Sequence, residues 1–343
     1  MRFNEIKNDG QLWSFMTSPS SSLVQDLKKI EGVILVLGGS GKMGKELVGL
    51  IRNGDSHAGK KRRIMVASSF SNQEDLEIFG KMDVECFRGD LSSESFLESL
   101  PDAPLVFYML GFKFGSRGDW RRTFHLNSIV PYLTGRKYNQ SSIVVFSSGN
   151  PYPHTDPAGT GCRESDPLDP TGIYGWSIVA RESAFSTTAL QNPRQKLCFY
   201  RLMYAQHLNY GVLIDLAKLI WNDAPISLKM PAVNLISQRD ANEVAIRCLI
   251  HCSNPAMVLN VAGPVVRVRD IVTRMAEIMG KKHRFEDEGN HMALIANDKN
   301  SIDTFGPYRD PVDEMILACA KWIMNGGNTW DKPTYFGRAD HKY

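Results

Sequence analysis

The sequence predicts an α/β protein built on a doubly wound parallel sheet, with a smaller C-terminal α/β lobe. Short apolar runs alternate with helical segments between residues 33 and 204, as expected for strands that are buried on both faces and joined by crossover helices. A glycine-rich turn follows the first of these runs. Beyond residue 205 the alternation gives way mainly to longer helices, which predict the smaller lobe.

The strands of the main sheet are predicted from continuous apolar runs that are bounded by turn residues. Amphipathic segments between the runs predict the helices, and two of them close at Gly54 and Gly80. The predicted strands are 33–38, 63–69, 84–87, 103–110, 142–148 and 196–204, and the predicted helices are 42–54, 72–80, 92–100, 119–138 and 173–190.

These elements divide the chain into four parts. Residues 1–31 form a polar lead-in, and residues 32–204 form the main domain. Residues 205–330 mostly form the smaller lobe, although 232–262 are expected to return to the main domain. Residues 331–343 are a C-terminal tail. A loop rich in proline and glycine spans 149–172, and loops of this length in compact domains are usually functional.

The bulk composition excludes several classes of protein. The chain has 343 residues and a net charge of +3, which is too small to favour a nucleic acid or a membrane surface as partner. No apolar run approaches the ~20 residues that cross a bilayer, and no apolar leader is evident, so we expect a cytoplasmic protein. The six cysteines are scattered and lack CxxC spacing, so we expect no metal.

The turn after the first strand has the pattern of a phosphate loop. In "LVLGGSGKMGKEL", Gly38, Gly41 and Gly44 form GxxGxxG between a strand and a helix. The first glycine permits the tight turn, the second lets the backbone approach a pyrophosphate, and the third lets the helix pack on the strand. The helix N-terminus offers free N–H groups to the anion. The pattern predicts a Rossmann-type dinucleotide site, whose cradle also includes Ser40, Lys42 and Met43.

The end of the second strand bears on the choice between NAD and NADP. A carboxylate there would bind the ribose 2′-OH of NAD, but the sequence has Ser68 and Ser69. Two hydroxyls would tolerate a 2′-phosphate, and Arg62 or Arg63 could assist although both stand at the opposite end of the strand. NADP is therefore slightly favoured over NAD. Asp90 in "RGDL" can bind the adenine amino group, or it can be an ordinary turn aspartate.

With GxxGxxG, the "GDL" triplet, "SIVVFSS" and a tyrosine that opens a helix in "YGWS", residues 32–325 resemble the extended short-chain dehydrogenase/reductases, the NAD-dependent epimerase/dehydratase group. The resemblance implies an oxidoreductase or isomerase that acts on a small molecule, and a homodimer paired through two helices of the main domain. We also assign Leu91, Leu110, Gly111 and Met203 to the cofactor site.

The resemblance implies that Tyr174 is the catalytic acid/base, that a hydroxyl at Ser147 or Ser148 assists it, and that Asn127 supports the site. Of the two serines we assign Ser148. The family pattern YxxxK places a lysine four residues after the tyrosine, but this chain has Ile178 there. In the family that lysine holds the nicotinamide ribose and lowers the pKa of the tyrosine.

Without that lysine, a phenol with a pKa of about 10 is ionised only about one part in a thousand at pH 7. The candidate replacement cations are Lys113, Arg117 and Arg181, and we hypothesise that Lys113 partly replaces the lysine. In a second hypothesis Tyr174 acts as a neutral hydrogen-bond donor to a substrate carbonyl.

The carboxyl ends of the strands should form the substrate side of the site. The residues that we assign there are Lys113, Arg117, Ser148, Asn150, Arg201 and Tyr204. Their cations suit a polar sugar-like substrate or a hydroxy or keto acid. We therefore predict an NAD(P)-dependent epimerase, dehydratase or reductase, the alternative being a catalytically impaired NAD(P)-binding sensor or partner subunit. Asp240 is predicted to cap its helix and is left out of the site.

Overall fold

The computed structural model describes residues 1–113, 115, 116, 118–287, 289 and 291–337. Its central sheet has seven strands in the order β3-β2-β1-β4-β5-β6-β9, and every pairing in it is parallel. These strands are β1 (Ile34–Leu37), β2 (Ile64–Ser68), β3 (Glu85–Arg88), β4 (Leu105–Tyr108), β5 (Ser142–Ser148), β6 (Lys196–Leu202) and β9 (Met257–Val261).

A second sheet of three strands belongs to the smaller lobe. Strand β8 (Ala232–Ser237) pairs in parallel with β7 (Tyr204–Gln206) and antiparallel with β10 (Val265–Arg267). The segment 232–262 is therefore divided, because β9 joins the main sheet whereas β8 lies in the small one.

Helices cover both faces of the main sheet, which confirms the predicted fold class. None of the described helices is long and apolar enough to cross a membrane. In chain order they are α1 (Asp9–Met16), α2 (Ser21–Lys29), α3 (Gly44–Ala58), α4 (Gln73–Lys81), α5 (Glu94–Ser99), α6 (Trp120–Phe124), α7 (Val130–Lys137), α8 (Gly172–Gln191), α9 (Val212–Trp221), α10 (Gln238–Arg247), α11 (Val268–Met279), α12 (Lys299–Phe305) and α13 (Val312–Met324).

Three apolar cores hold these layers together. One core lies between the sheet and the α2, α3 and α10 helices, and a second lies on the opposite face under α5, α7 and α8. The third fills the smaller lobe around α9, α11 and α13 and includes Phe3 and Phe15 of the lead-in. Since Leu23 and Leu27 of α2 belong to the first core, the lead-in joins the main domain to the lobe.

The helix predicted over 119–138 is divided by a π-helical turn at His125–Ile129, between α6 and α7. Such turns insert one extra residue and are frequent at functional sites. Asn127 lies in the middle of this turn and is fully buried.

The prediction that Asp240 caps α10 is wrong. The capping residue is Ser237, whose Oγ accepts the Asp240 N–H at 3.1 Å. The Asp240 carboxylate instead accepts the backbone N–H groups of Arg309 and Asp310, both at 2.9 Å. Asp240 therefore holds the 309–310 segment against α10.

Candidate active site

The glycine loop closes the turn from β1 into α3 as the sequence predicts. Gly38 has a φ of +82°, and a Cβ there would lie 3.0 Å from the Leu110 nitrogen. A Cβ on Gly44 would lie 2.2 Å from the Gly39 carbonyl oxygen. Among the described residues no side chain caps the N-terminus of α3, so the N–H groups of its first turn can receive an anion. The loop therefore fits the pyrophosphate of a dinucleotide.

Two residues of α10 donate hydrogen bonds to the backbone of this loop. Gln238 Nε2 donates to the Lys42 carbonyl at 3.4 Å, and Asn242 Nδ2 donates to the Met43 carbonyl at 3.3 Å. Sequence reasoning missed this support, because nothing in the local pattern of α10 shows that the chain returns to the phosphate loop about 200 residues later.

At the end of β2, the Ser68 hydroxyl bonds the Ser40 hydroxyl of the glycine loop at 2.5 Å, and Ser69 is exposed. The proposed help from two arginines is wrong. Arg62 is buried in an ion pair with Asp55 at 2.9 Å, and Arg63 pairs with Glu85 at 2.7 Å. Both guanidinium groups are satisfied at the amino end of the strand.

Tyr174 lies in the first turn of α8, and its phenol bonds the Ser148 side chain at the carboxyl end of β5. The Ser148 hydroxyl donates to Asn150 Oδ1 at 2.8 Å and accepts the Asn150 N–H at 3.2 Å. Tyr174, Ser148 and Asn150 therefore form a hydrogen-bonded series that fixes the position of the phenol oxygen.

The pKa of Tyr174 reflects its burial and the charged groups around it. Burial raises the pKa of Tyr174, whereas the charge of Arg181 and the bond to Ser148 oppose that rise. The Lys113 ammonium lies 5.5 Å from the centre of the Tyr174 ring. Burial and the charge of Lys42 lower the pKa of Lys113 to about 8. Two desolvated lysines therefore flank the same cleft, an arrangement that an anionic ligand would stabilise.

Solved structures with this arrangement of strands and helices are numerous. The UDP-glucose 4-epimerase of Thermus thermophilus in complex with NAD matches with a TM-score of 0.68 at 18% identity, covering 84% of this chain and 98% of its own. The UDP-Glc/GlcNAc 4-epimerase of Campylobacter jejuni matches with a TM-score of 0.68 at 16% identity, covering 86% and 99%. MoeE5 in complex with UDP-glucose and NAD matches with a TM-score of 0.68 at 18% identity, covering 86% of this chain and 99% of its own.

The chain shares the fold of these solved epimerase and MoeE5 structures. No protein-family profile and no curated protein sequence matches it. At these identities the likeness establishes the fold, and the chemistry has to be inferred from the residues of the site.

Asn127 connects three elements around the Rossmann site. Its Oδ1 accepts from the Phe112 N–H at 3.0 Å and from Arg181 Nη2 at 2.7 Å. Its Nδ2 donates to the Phe112 carbonyl and to Ser177 Oγ, both at 2.9 Å. Asn127 therefore fixes the segment after β4 against α8, and its amide has no capacity left for a substrate.

Arg201 does not agree with its predicted role in substrate binding. It is buried, and it makes a two-point ion pair with Glu182 at 3.0 and 2.7 Å while Nη1 donates to the Tyr152 hydroxyl at 2.7 Å. Ser147 donates to the same Glu182 carboxylate at 2.5 Å. This explains why Ser148, and not Ser147, is the hydroxyl that reaches the phenol.

The other assigned residues are distributed along the carboxyl edge of the sheet. Gly111 and Leu110 follow β4, and Met203 and Tyr204 follow β6, with Met203 packed under Gly149. Asp90 Oδ1 accepts the Ser92 N–H at 2.9 Å, which is the turn role, and Leu91 is in the core. Arg117 lies outside the described residues.

Trp330, just before the C-terminal tail, is connected to the phosphate loop through Tyr210, which sequence reasoning missed. The Lys42 ammonium lies 3.4 Å from the centre of the Tyr210 ring, and Trp330 stacks on Tyr210 at 5.9 Å and on His207 at 5.2 Å. A cavity of about 510 Å³ lies alongside, between α9, residues 224–229 and residues 333–337. The aromatic residues of "NYG" and "NTWD" were the only sequence signal for this contact.

Proposed function

We propose that the protein is an NAD(P)-dependent enzyme of the epimerase, dehydratase or reductase type that acts on a polar sugar-like substrate. The observation that supports it most is the hydrogen-bonded series Tyr174–Ser148–Asn150 beside the glycine loop. The similar solved structures include complexes with UDP-glucose and NAD, which makes sugar nucleotides the first substrates to try, with hydroxy and keto acids second. The nicotinamide, when bound, would supply or accept a hydride.

In this proposal Tyr174 moves the proton. Its neutral phenol donates to a substrate carbonyl oxygen in the reductive direction, and it takes the proton back from the hydroxyl in the oxidative direction. Ser148 orients the phenol, and Lys113 beside the ring attracts the anionic part of the ligand. Such proton transfer by a positioned group contributes typically about 10²- to 10⁴-fold to a rate.

The glycine loop and the two serines at the end of β2 admit NADP as well as NAD. Asp75 does not replace the missing carboxylate, because it lies in α4 and pairs with Lys45 at 2.7 Å. We propose NADP as the better ligand. Calorimetric titration with both nucleotides decides between them, and tighter binding of NAD would reverse the assignment.

The proposed function is tested by incubating the purified protein with each nucleotide and a panel of sugar nucleotides and hydroxy acids. Nicotinamide absorbance reports net redox, and NMR of the recovered sugar reports epimerisation or dehydration. We expect conversion of at least one compound. Binding of the nucleotide without conversion of any compound would support the second candidate, a nucleotide-binding sensor, which is favoured by the fully buried Ile178 in the lysine position.

Ligand affinity is expected to depend on pH through two lysines. Burial lowers the pKa of Lys42 and of Lys113 to about 8, so both are protonated below that pH and lose their charge above it. The association constant for the nucleotide should be flat from pH 6.5 to 7.5 and should fall by about tenfold per pH unit above 8 for each lysine that contacts the anion. In Lys113→Met the association constant should fall less steeply above pH 8, by about a factor of ten per pH unit, because one titrating lysine is gone. An unchanged slope would mean that Lys113 does not contact the ligand.

We also propose a homodimer that forms through the surface of α6, the π-helical turn and α8. Large apolar side chains stand exposed there, among them Trp120 at 54%, Ile129 at 50% and Trp176 at 54%. Sedimentation velocity should show a dimer for the wild type and a monomer for Trp176→Glu. The matched control is Met324→Glu on α13, at a side chain that is 37% exposed, and it should remain dimeric. A monomeric wild type would contradict the proposal.

A further inference from the structure

Arg181 is the one buried arginine without a carboxylate partner in the described part of the chain. Arg62, Arg201 and Arg239 are also buried there, and each forms an ion pair, with Asp55, Glu182 and Asp310 respectively. Arg181 is 4% exposed. A buried charge that lacks a counter-ion is costly, so the position of this guanidinium requires an explanation.

The bonds of Arg181 are all to neutral groups. Nη1 donates to the Phe146 carbonyl and Nη2 to Asn127 Oδ1, both at 2.7 Å. Nε is buried and has no hydrogen-bond partner within the described residues. These contacts fix the orientation of the guanidinium but do not neutralise its charge.

The guanidinium lies close to the cleft although Arg181 is seven residues after Tyr174. Seven residues of α-helix span about 10.5 Å, but helical side chains lean toward the N-terminus and arginine is long. The Asn127 that binds Nη2 also bonds Ser177 Oγ at 2.9 Å, and Ser177 Oγ donates to the Tyr174 carbonyl at 2.7 Å. A Cβ on Gly111 would lie 2.8 Å from Nη2, so the Arg181 guanidinium packs against the backbone of the turn after β4.

We propose that Arg181 is the cation that stabilises negative charge on the Tyr174 oxygen when the phenol gives up its proton. It would serve this purpose from two turns along α8, while the position one turn along is occupied by the apolar Ile178. The inference rests on the proposed function in one respect, that Tyr174 is the group that moves the proton. Arg181 acts through Tyr174 and is a positioning residue.

The two cations and the one hydroxyl that face Tyr174 come from three directions. Lys113 approaches the ring face from the segment after β4, the Ser148 hydroxyl bonds the oxygen from β5, and Arg181 acts from α8 itself. Of the two cations, Arg181 is the one whose charge lowers the pKa of Tyr174 against the effect of burial.

The test replaces Tyr174 with a fluorinated tyrosine whose phenol ionises near neutral pH, and follows its pKa by ¹⁹F NMR without substrate or cofactor. Arg181→Gln keeps hydrogen-bond donors but removes the charge, and it should raise the pKa of the probe by about one unit or more. Arg181→Lys keeps a positive charge, so the pKa of the probe should rise by no more than about half of the shift seen in Arg181→Gln. If Arg181→Gln does not fold, Gly111→Ala displaces the guanidinium in place and should shift the pKa upward by a smaller amount.

An unchanged probe pKa in Arg181→Gln, together with a lower melting temperature, would overturn the proposal and leave Arg181 as a structural tie. Because the titration needs no turnover, it is independent of the substrate screen. A protein that converts no sugar nucleotide can still show the Arg181 effect, and an active enzyme can fail to show it.

Discussion

Tyr174→Phe is expected to lower kcat by about 10²- to 10⁴-fold, the range for loss of a positioned acid–base group. Phenylalanine keeps the ring against Lys113 and removes only the oxygen that bonds Ser148. The dissociation constant of the nucleotide should therefore change by less than about threefold, a free-energy difference below 1 kcal/mol. The measurement combines steady-state kinetics on a substrate found in the screen with calorimetric titration of the nucleotide.

The matched control is Tyr138→Phe. Tyr138 is a buried tyrosine away from the cleft, and its hydroxyl donates to the Pro101 carbonyl at 3.3 Å. The Tyr138→Phe variant loses the same oxygen atom and one hydrogen bond, which costs roughly 0.5–1.5 kcal/mol of stability. Its kcat should be equal to that of the wild type. A Tyr174→Phe enzyme with full turnover would exclude proton transfer by Tyr174.

Ser148→Ala should produce an intermediate result. It leaves the phenol in place but removes its hydrogen-bond partner, so the Tyr174 oxygen is no longer held in a fixed direction. If Ser148→Ala were as inactive as Tyr174→Phe, Ser148 would itself contact the reacting atoms, and its role would extend beyond orienting the phenol.

Gly44→Ala is expected to cause the largest loss of nucleotide binding. The new Cβ would lie 2.2 Å from the Gly39 carbonyl oxygen, a distance at which backbone has to move. Overpacking of this kind costs about 1–3 kcal/mol of stability. The same movement displaces the loop from the N-terminus of α3. Each 1.4 kcal/mol of binding free energy that is lost raises the dissociation constant of the nucleotide by about tenfold. Thermal melting and calorimetric titration measure the two effects separately.

Gly80→Ala provides the matched control, since Gly80 lies near the end of α4 and a Cβ there would meet no atom within 4 Å. It should bind the nucleotide like the wild type and be equally or slightly more stable, because alanine loses less backbone entropy on folding. If Gly44→Ala bound both nucleotides normally, the glycine loop would not be the phosphate site and the proposed function would lose its basis.

Much of the main domain could be predicted from local patterns. The strands β1, β2, β4, β5 and β6 each contain a short apolar run, and GxxGxxG lies between a strand and a helix, so the parallel sheet and its glycine loop follow from neighbouring residues. The placement of Tyr174 at the start of α8 follows in the same way. The phenol and the hydroxyl at the end of β5 are then expected at the same edge of the sheet, because the helix that follows a parallel strand begins at the carboxyl end of that strand.

Long-range contacts could not be read from the sequence. Arg201 and Arg181 both follow an apolar residue and both looked available to the cleft. Only the fold shows that Glu182 neutralises Arg201, while Arg181 meets the neutral Asn127 and Phe146. A charge is functional or structural according to what faces it, and those partners come from distant parts of the chain.

The sequence by itself determined the layered α/β architecture, the phosphate loop and the absence of a lysine at position 178, since each depends on residues that are close together along the chain. The tertiary structure decided which groups surround the phenol, which arginine lacks a carboxylate partner among the described residues, and how α10 and Tyr210 reach the loop. The physical reason is that burial and electrostatic interaction depend on distance in space, and folding places residues such as Asn242 and Tyr210 next to a loop that lies about 170 to 200 positions away along the chain.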